Sequence, residues 1–354
     1  MVPSPTMRVA LFTRRPRAKS NFSIESIVAG IAQRLHGDYQ PQVVVARYES
    51  RGVLPRLYNM VEAAVQQGDV NHVTGDIHFV ALLLDGRRTL LTVHDCGRIV
   101  GQTDLASQVI KWLWFILPVR HCARTTVVSE ATKRQLTAIV PDCADRIAVV
   151  PTFISDAYQR RPRPFHKACP QLLQVGTKDN KNLLRVAQAL QGIPCHLHVV
   201  GVLNDDQRQA LQDAGIDYTN HVAVTDARMV ELYEQSDLIV FASTFEGFGM
   251  PIIEANRVGR AVVTSNVTSM PEVAGDAACL VDPFDVDSIR AGIERVIHDD
   301  IYRQHLIERG FANAERFSAS HVIQCYEKLY DELAQRPRRG LLRSGVNALR
   351  AALH

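Results

Sequence analysis

Nine consecutive residues, Glu246-Gly247-Phe248-Gly249-Met250-Pro251-Ile252-Ile253-Glu254, place two carboxylates around a glycine-containing turn. The apolar run at 238–241 just before them predicts a buried strand. Pro251 stands where a helix should begin, since Pro is favoured at the first helical position. Gly247 and Gly249 let a ligand approach the backbone closely. The free N–H groups at a helix start suit a phosphate or a sugar oxygen. Glu246 precedes the turn and Glu254 is expected inside the first helical turn, so both can face one ligand. Carboxylates are good acceptors for paired sugar or ribose hydroxyls.

A second string, Gly176-Thr177-Lys178-Asp179-Asn180-Lys181-Asn182, follows an apolar run and is expected to open a helix at about Asn182. Two lysines there could meet a diphosphate, which needs cations and backbone N–H groups in a water-poor site. The plain alternative is a pair of solvated loop lysines. His94-Asp95 ends a predicted strand, with Asp95 orienting His94 or capping the next segment. His72 and Asp76 end another and are weak candidates for an acceptor side. The loop 13–23 carries Arg14, Arg15, Arg17 and Lys19, suited to an anionic acceptor, to donor phosphates or simply to water. Ser129 and Asp226 stand where helices begin and read as caps.

The elements that position these residues alternate along the chain. Strands are expected at 8–12, 42–46, 70–73, 89–93, 125–128 and 147–150, then again at 172–175, 197–200, 238–241 and 261–264. Helical apolar spacing runs through 22–35, 54–65 and 105–117. Such alternation means βαβ units around parallel sheets. The length of 354 residues favours two domains. Pro151, Pro162, Pro164 and Pro170 interrupt the pattern, so the segments read as 1–155, a linker at 156–170, 171–317, a closing helix at 318–335 and a tail at 336–354. In the tail, Leu342, Val346, Leu349 and Leu353 form one apolar stripe opposite a basic face, the pattern of a peripheral membrane contact or of a helix docked on its own domain.

Composition narrows the function classes. A net charge of +3, without a basic stripe interleaved with aromatics, argues against nucleic acid. Seven scattered cysteines with no C-x-x-C pair fit reduced thiols in the cytoplasm, at most peripheral to the inner face of a membrane. No apolar signal segment is visible at the N-terminus. No histidine/acid spacing marks a metal site, so no metal and no separate cofactor are expected. A dehydrogenase is disfavoured because no G-x-G-x-x-G follows the first strand.

The string from Glu246 to Glu254 resembles the Glu-x7-Glu donor signature of retaining glycosyltransferases of family 4, and the likeness extends from about Met7 to about Ala334. The resemblance implies a GT-B fold: α/β, two Rossmann-like domains with parallel sheets facing across a cleft. It implies transfer of a hexose-type sugar from a UDP- or GDP-linked donor to a glycan or lipid-linked acceptor, as in surface polysaccharide synthesis. By the same resemblance Glu246 and His94 contact the sugar, Lys181 the diphosphate and Glu254 the ribose. Backbone groups of Gly247, Phe248, Gly249 and Met250, with Gly176, Thr177 and Lys178, complete the donor site. Two departures are plain: the arginine usual before the lysine is missing, and the first strand is not followed by a Gly-Gly loop. A nucleotide-sugar epimerase of the same fold and a non-catalytic sugar-binding protein are the alternatives.

Overall fold

The computed structural model describes residues 6–16, 23–97 and 105–338. Arg17, Lys19 and most of the basic tail at 336–354 lie outside the described residues. The chain divides into two compact units, 1–151 with 320–354, and 152–319.

The first unit holds a six-stranded sheet in the order β2-β1-β3-β4-β5-β6, every pair parallel. Its strands are β1 (Met7–Thr13), β2 (Tyr39–Val45), β3 (Val70–Val73), β4 (Thr89–Val93), β5 (Arg124–Val127) and β6 (Ile147–Val149). Residues of β3 and β4 are buried without alternation, because helices cover both faces of a parallel sheet. β2 is an edge strand and carries Pro41, whose missing N–H is tolerated there. The helix expected at 105–117 is three pieces: Leu105–Ile110, a wider turn over Lys111–Ile116, and Leu117–His121. Pro118 has no N–H to continue the ladder, yet the backbone stays right-handed helical through Ile116 and Leu117.

The closing helix, Ala319–Ala334, packs on this first unit. Its Tyr330 hydroxyl lies 2.8 Å from His72 Nδ1, and His72 Nε2 lies 2.7 Å from Thr92 Oγ1. His72 is therefore a core histidine with both nitrogens used, and this corrects its candidacy for an acceptor side. Burial pushes its pKa down to about 3.

The second unit repeats the design in the order β12-β11-β10-β7-β8-β9, again all parallel. Its strands are β7 (Gln171–Val175), β8 (His196–Val200), β9 (Asp217–His221), β10 (Leu238–Phe241), β11 (Ala261–Ser265) and β12 (Cys279–Val281). All four residues of β10 are buried. The segment 156–170, expected as a linker, belongs to this unit and packs on it. Tyr158 is buried, and the Arg161 N–H donates to Val258 O. Among the described residues no helix is long and apolar enough to cross a membrane.

Candidate active site

The second unit brings the two motifs together at the carboxyl ends of β7 and β10. Gly176 leaves β7 with φ 93°, and a Cβ there would sit 3.0 Å from Lys181 Cγ and Cε. Glycine thus makes the space through which the Lys181 side chain runs. A short 3-10 turn, Asp179–Lys181, then leads to Asn182 in the left-handed region, φ 62°, ahead of helix Leu183–Leu190. Asn tolerates that conformation. Its Nδ2 is tied to Ala242 O at 2.9 Å and Pro283 O at 2.7 Å.

Lys181 Nζ ends 2.6 Å from Glu246 Oε1 and 4.6 Å from the centre of the Phe241 ring. The face of an aromatic ring attracts a cation, so Phe241 fixes the ammonium from below. Asn180 Nδ2 donates to Phe245 O at 2.8 Å and to Glu246 Oε1 at 3.3 Å. Thr244 N donates to Asn180 O at 2.8 Å, closing the two loops onto each other. Lys178, by contrast, is exposed; its carbonyl accepts from Lys181 N at 2.7 Å, but its ammonium has no ion-pair or hydrogen-bond partner among the described residues. Thr177 turns its hydroxyl to Val202 O at 2.7 Å, so its side chain serves the loop.

The turn after Glu246 is held from below by Ser269. Its hydroxyl lies 3.0 Å from Glu246 O and 2.7 Å from Phe248 O. The Phe248 ring packs edge-on against Phe317, and Met250 Sδ accepts from Thr152 Oγ1 at 3.1 Å. The side chains of Phe248 and Met250 therefore face protein, and their main chain is what a ligand can meet. Gly249 has φ 116°, a conformation open to glycine. Among the described residues the N–H groups of Phe248, Gly249 and Met250 donate to nothing, as at any helix start without a side-chain cap.

The helix Met250–Val258 starts one residue before Pro251, and Glu254 is its fifth residue. Glu254 thus opens the second turn and does not lie in the first, which corrects the expected register. Its carboxylate accepts from Tyr233 OH at 2.6 Å. Burial pushes the Glu254 pKa up to about 7, opposed by the hydroxyls of Tyr233 and Tyr158 and by the charge of Lys181. Near neutral pH this group is poised between acceptor and donor.

His94, in the first unit, follows β4 and lies 3.1 Å from Thr74 Oγ1 through Nε2. Burial pushes its pKa down to about 4, against the opposing charge of Asp95, so the ring is neutral at pH 7. Asp95 itself accepts from Gly97 N at 2.9 Å and closes a turn. Ser129 caps helix Glu130–Ile139 by accepting from Thr132 N at 3.0 Å. At the helix Asp226–Gln235 the cap is Thr225, one residue earlier than the sequence suggests.

Asn180 and Asn182 stood within a string already singled out, but nothing in it marks them as the braces. Tyr233, Tyr158 and Ser269 carried no local signal, since their roles exist only once β10 and its neighbours are assembled.

Two six-stranded parallel Rossmann-like units give the protein a GT-B fold. Residues 7–158 match the family described as Glycosyltransferase Family 4, and residues 166–312 match Glycosyl transferases group 1. Each match covers less than half of the chain, and together they make it similar to glycosyltransferases of family 4 and group 1. It is 34% identical over 231 residues to O-antigen chain mannosyltransferase B of Escherichia coli, covering 57% of this chain and 60% of that one. It is 39% identical over 181 residues to the serotype-specific mannosyltransferase WbdA of Escherichia coli, covering 51% of this chain and 20% of that one. The chain thus spans less than two thirds of either relative. The crystal structure of Anabaena Alr3699/HepE in complex with UDP and glucose superposes with a TM-score of 0.73 at 16% identity, over 92% of this chain and 99% of that one. That likeness concerns the fold.

Proposed function

We propose that the protein is a retaining glycosyltransferase that moves a hexose-type sugar from a nucleoside-diphosphate sugar to a glycan or lipid-linked acceptor in surface polysaccharide synthesis. The observation that carries this reading is the contact of Lys181 with Glu246 beside a turn whose Phe248, Gly249 and Met250 N–H groups donate to nothing among the described residues. A sugar diphosphate presents hydroxyls and phosphate oxygens on either side of one glycosidic oxygen. A hydroxyl acceptor and a cation held within one hydrogen bond of each other match that pairing.

In this reading Glu246 accepts from the sugar hydroxyls. Lys181 and the main chain of Gly247 to Met250 hold the diphosphate and stabilise the charge that grows on it as the glycosidic bond breaks. Glu254 accepts from the ribose hydroxyls. His94, neutral at pH 7, exchanges a hydrogen bond with a sugar hydroxyl. No protein nucleophile is assigned. The acceptor oxygen attacks from the face the diphosphate leaves, and a phosphate oxygen takes its proton, which keeps the anomeric configuration. The reaction needs no metal. Mannose is the first donor sugar to try, because two relatives are named as mannosyltransferases.

The test is thermal stabilisation by UDP, GDP, ADP, CMP and dTDP and their sugars. A ligand that binds only the folded state raises stability by mass action. One base should stabilise the protein and Glu254→Ala should abolish that effect. The matching sugar nucleotide should then give a glycoside of unchanged anomeric configuration by NMR. Absence of any nucleotide effect would sink the donor site. Turnover of the donor without acceptor would favour the epimerase.

A further inference from the structure

The first unit contains a pocket of about 280 Å³, none of whose lining residues is assigned to the donor above. It opens at the carboxyl ends of β1, β2 and β3, where the chain runs from β1 to one side and then returns to the other. Open α/β sheets bind ligands at such reversals of strand order. The size is close to the lower end of small-molecule sites, about 300 Å³, and suits one sugar unit.

Its lining is strongly cationic and partly aromatic. Arg14, Arg15, Arg51 and Arg56 face two carboxylates, Glu49 and Asp76. Arg14 is consumed by ion pairs to Glu25 at 2.8 Å and Asp76 at 3.2 Å, and Arg51 is 3.1 Å from Glu49. Arg15 and Arg56 instead donate to main-chain carbonyls, of Arg47 at 2.9 Å and Ser50 at 3.1 Å. Neither has a carboxylate partner among the described residues, so their charge is left for a ligand. The Arg56 guanidinium also lies 4.7 Å from the centre of the Trp114 ring, and Trp114 Nε1 donates to Asp76 O at 3.0 Å. The Trp114 ring face and the Ser50 carbonyl hold the guanidinium, which favours forked recognition of a phosphate. Tyr48, half exposed, adds a wall suited to a sugar face.

We propose that this pocket binds a phosphate ester on the acceptor, with Arg15 and Arg56 on the phosphate and Tyr48 against the neighbouring sugar. The word acceptor rests on the transferase reading, whereas the binding does not. The same phosphate chemistry occurs in a soluble sugar phosphate and in a lipid headgroup.

The chain has two tryptophans, so Trp112→Phe leaves Trp114 as the only indole reporter. Mannose 1-phosphate, methyl α-mannoside, phosphatidylglycerol vesicles and GDP or UDP would each be titrated against Trp114 fluorescence at low ionic strength. A saturable change with mannose 1-phosphate or with the vesicles, absent with methyl α-mannoside, supports the proposal and identifies the source of the phosphate. Arg56→Gln and the more exposed Arg15→Gln should each weaken that binding at least about tenfold, the loss of one charged contact. Their stabilisation by nucleotide should stay unchanged. Equal response to methyl α-mannoside, no response to either phosphate, or a Trp114 response to the nucleotide alone overturns it. Because nucleotide stabilisation is read separately, failure here is distinct from failure of the donor site.

Discussion

Lys181 Nζ and Glu246 Oε1 stand 2.6 Å apart, although 65 residues separate them in the chain. The groups proposed to hold diphosphate and sugar are thus partners of each other before a donor arrives. Donor binding must exchange the Lys181–Glu246 contact for contacts of Lys181 to phosphate and of Glu246 to sugar hydroxyls. Removing one member leaves the other half-buried and unpaired, which costs more than the pair itself contributes.

Lys181→Met should therefore lower turnover with the donor by about tenfold to a hundredfold, the loss of one charge-assisted contact to a developing anion. Glu246→Ala should lower kcat while free nucleotide still binds, because its partner is the sugar. Steady-state kinetics with the sugar nucleotide and calorimetric binding of the free nucleotide separate the two. Equal loss of free-nucleotide affinity in Glu246→Ala would overturn its sugar role.

Gly249→Ala tests the turn. Alanine would adopt φ near 116° with its Cβ 3.1 Å from Ile252 Cδ1. Holding a non-glycine residue in such a conformation costs of order 1–3 kcal/mol. Relief would move the N–H groups of Phe248 to Met250 away from the anion. The melting temperature should fall and nucleotide affinity should fall with it. An unchanged affinity would mean that these N–H groups do not contact the phosphates.

Much of this architecture is written in local pattern. β10 reads as an unbroken apolar run because both faces of a central parallel strand are covered. β9, Asp-Tyr-Thr-Asn-His, is invisible to the same logic, since an edge strand faces water and carries no apolar alternation. The proposed donor motif is legible because its parts are contiguous. Its braces are not: Tyr233 reaches Glu254 from another helix, and Ser269 approaches the turn from beyond β11. His72 shows the opposite failure. A histidine at a strand end suggests chemistry, but the closing helix turns it into core by supplying Tyr330.

That core role makes an acid-stability prediction. The pKa of His72 falls from 6.5 unfolded to about 3 folded. Between these values the unfolded chain binds more protons, so stability rises with pH there. The contribution of His72 is complete above 6.5 and is lost as pH falls toward 3. The urea midpoint of the first unit should drop across this window, and less steeply in His72→Phe. Tyr330→Phe, which leaves Nδ1 unpartnered, should destabilise by about 1–3 kcal/mol. Parallel pH profiles for His72→Phe and the parent would remove His72 as a source of acid lability.

Glu254 predicts a pH dependence of opposite sign for stability and of direct consequence for binding. Its pKa rises from 4.5 to about 7 on folding, chiefly through burial. The folded state therefore holds the proton longer, and its stability falls as pH rises from 4.5 through 7. Ribose hydroxyls donate to the ionised carboxylate, so nucleotide binding must release that proton below pH 7. Affinity should weaken as pH drops below about 7, approaching tenfold per unit, and should level off above it. Titration calorimetry in buffers of different ionisation enthalpy would count the released proton directly. Glu254→Gln should bind weakly with no such slope. Tyr233→Phe removes a hydrogen bond that favours the carboxylate, so its midpoint should move to higher pH. A slope that persists in Glu254→Gln would place the titrating group elsewhere and withdraw the ribose contact from Glu254.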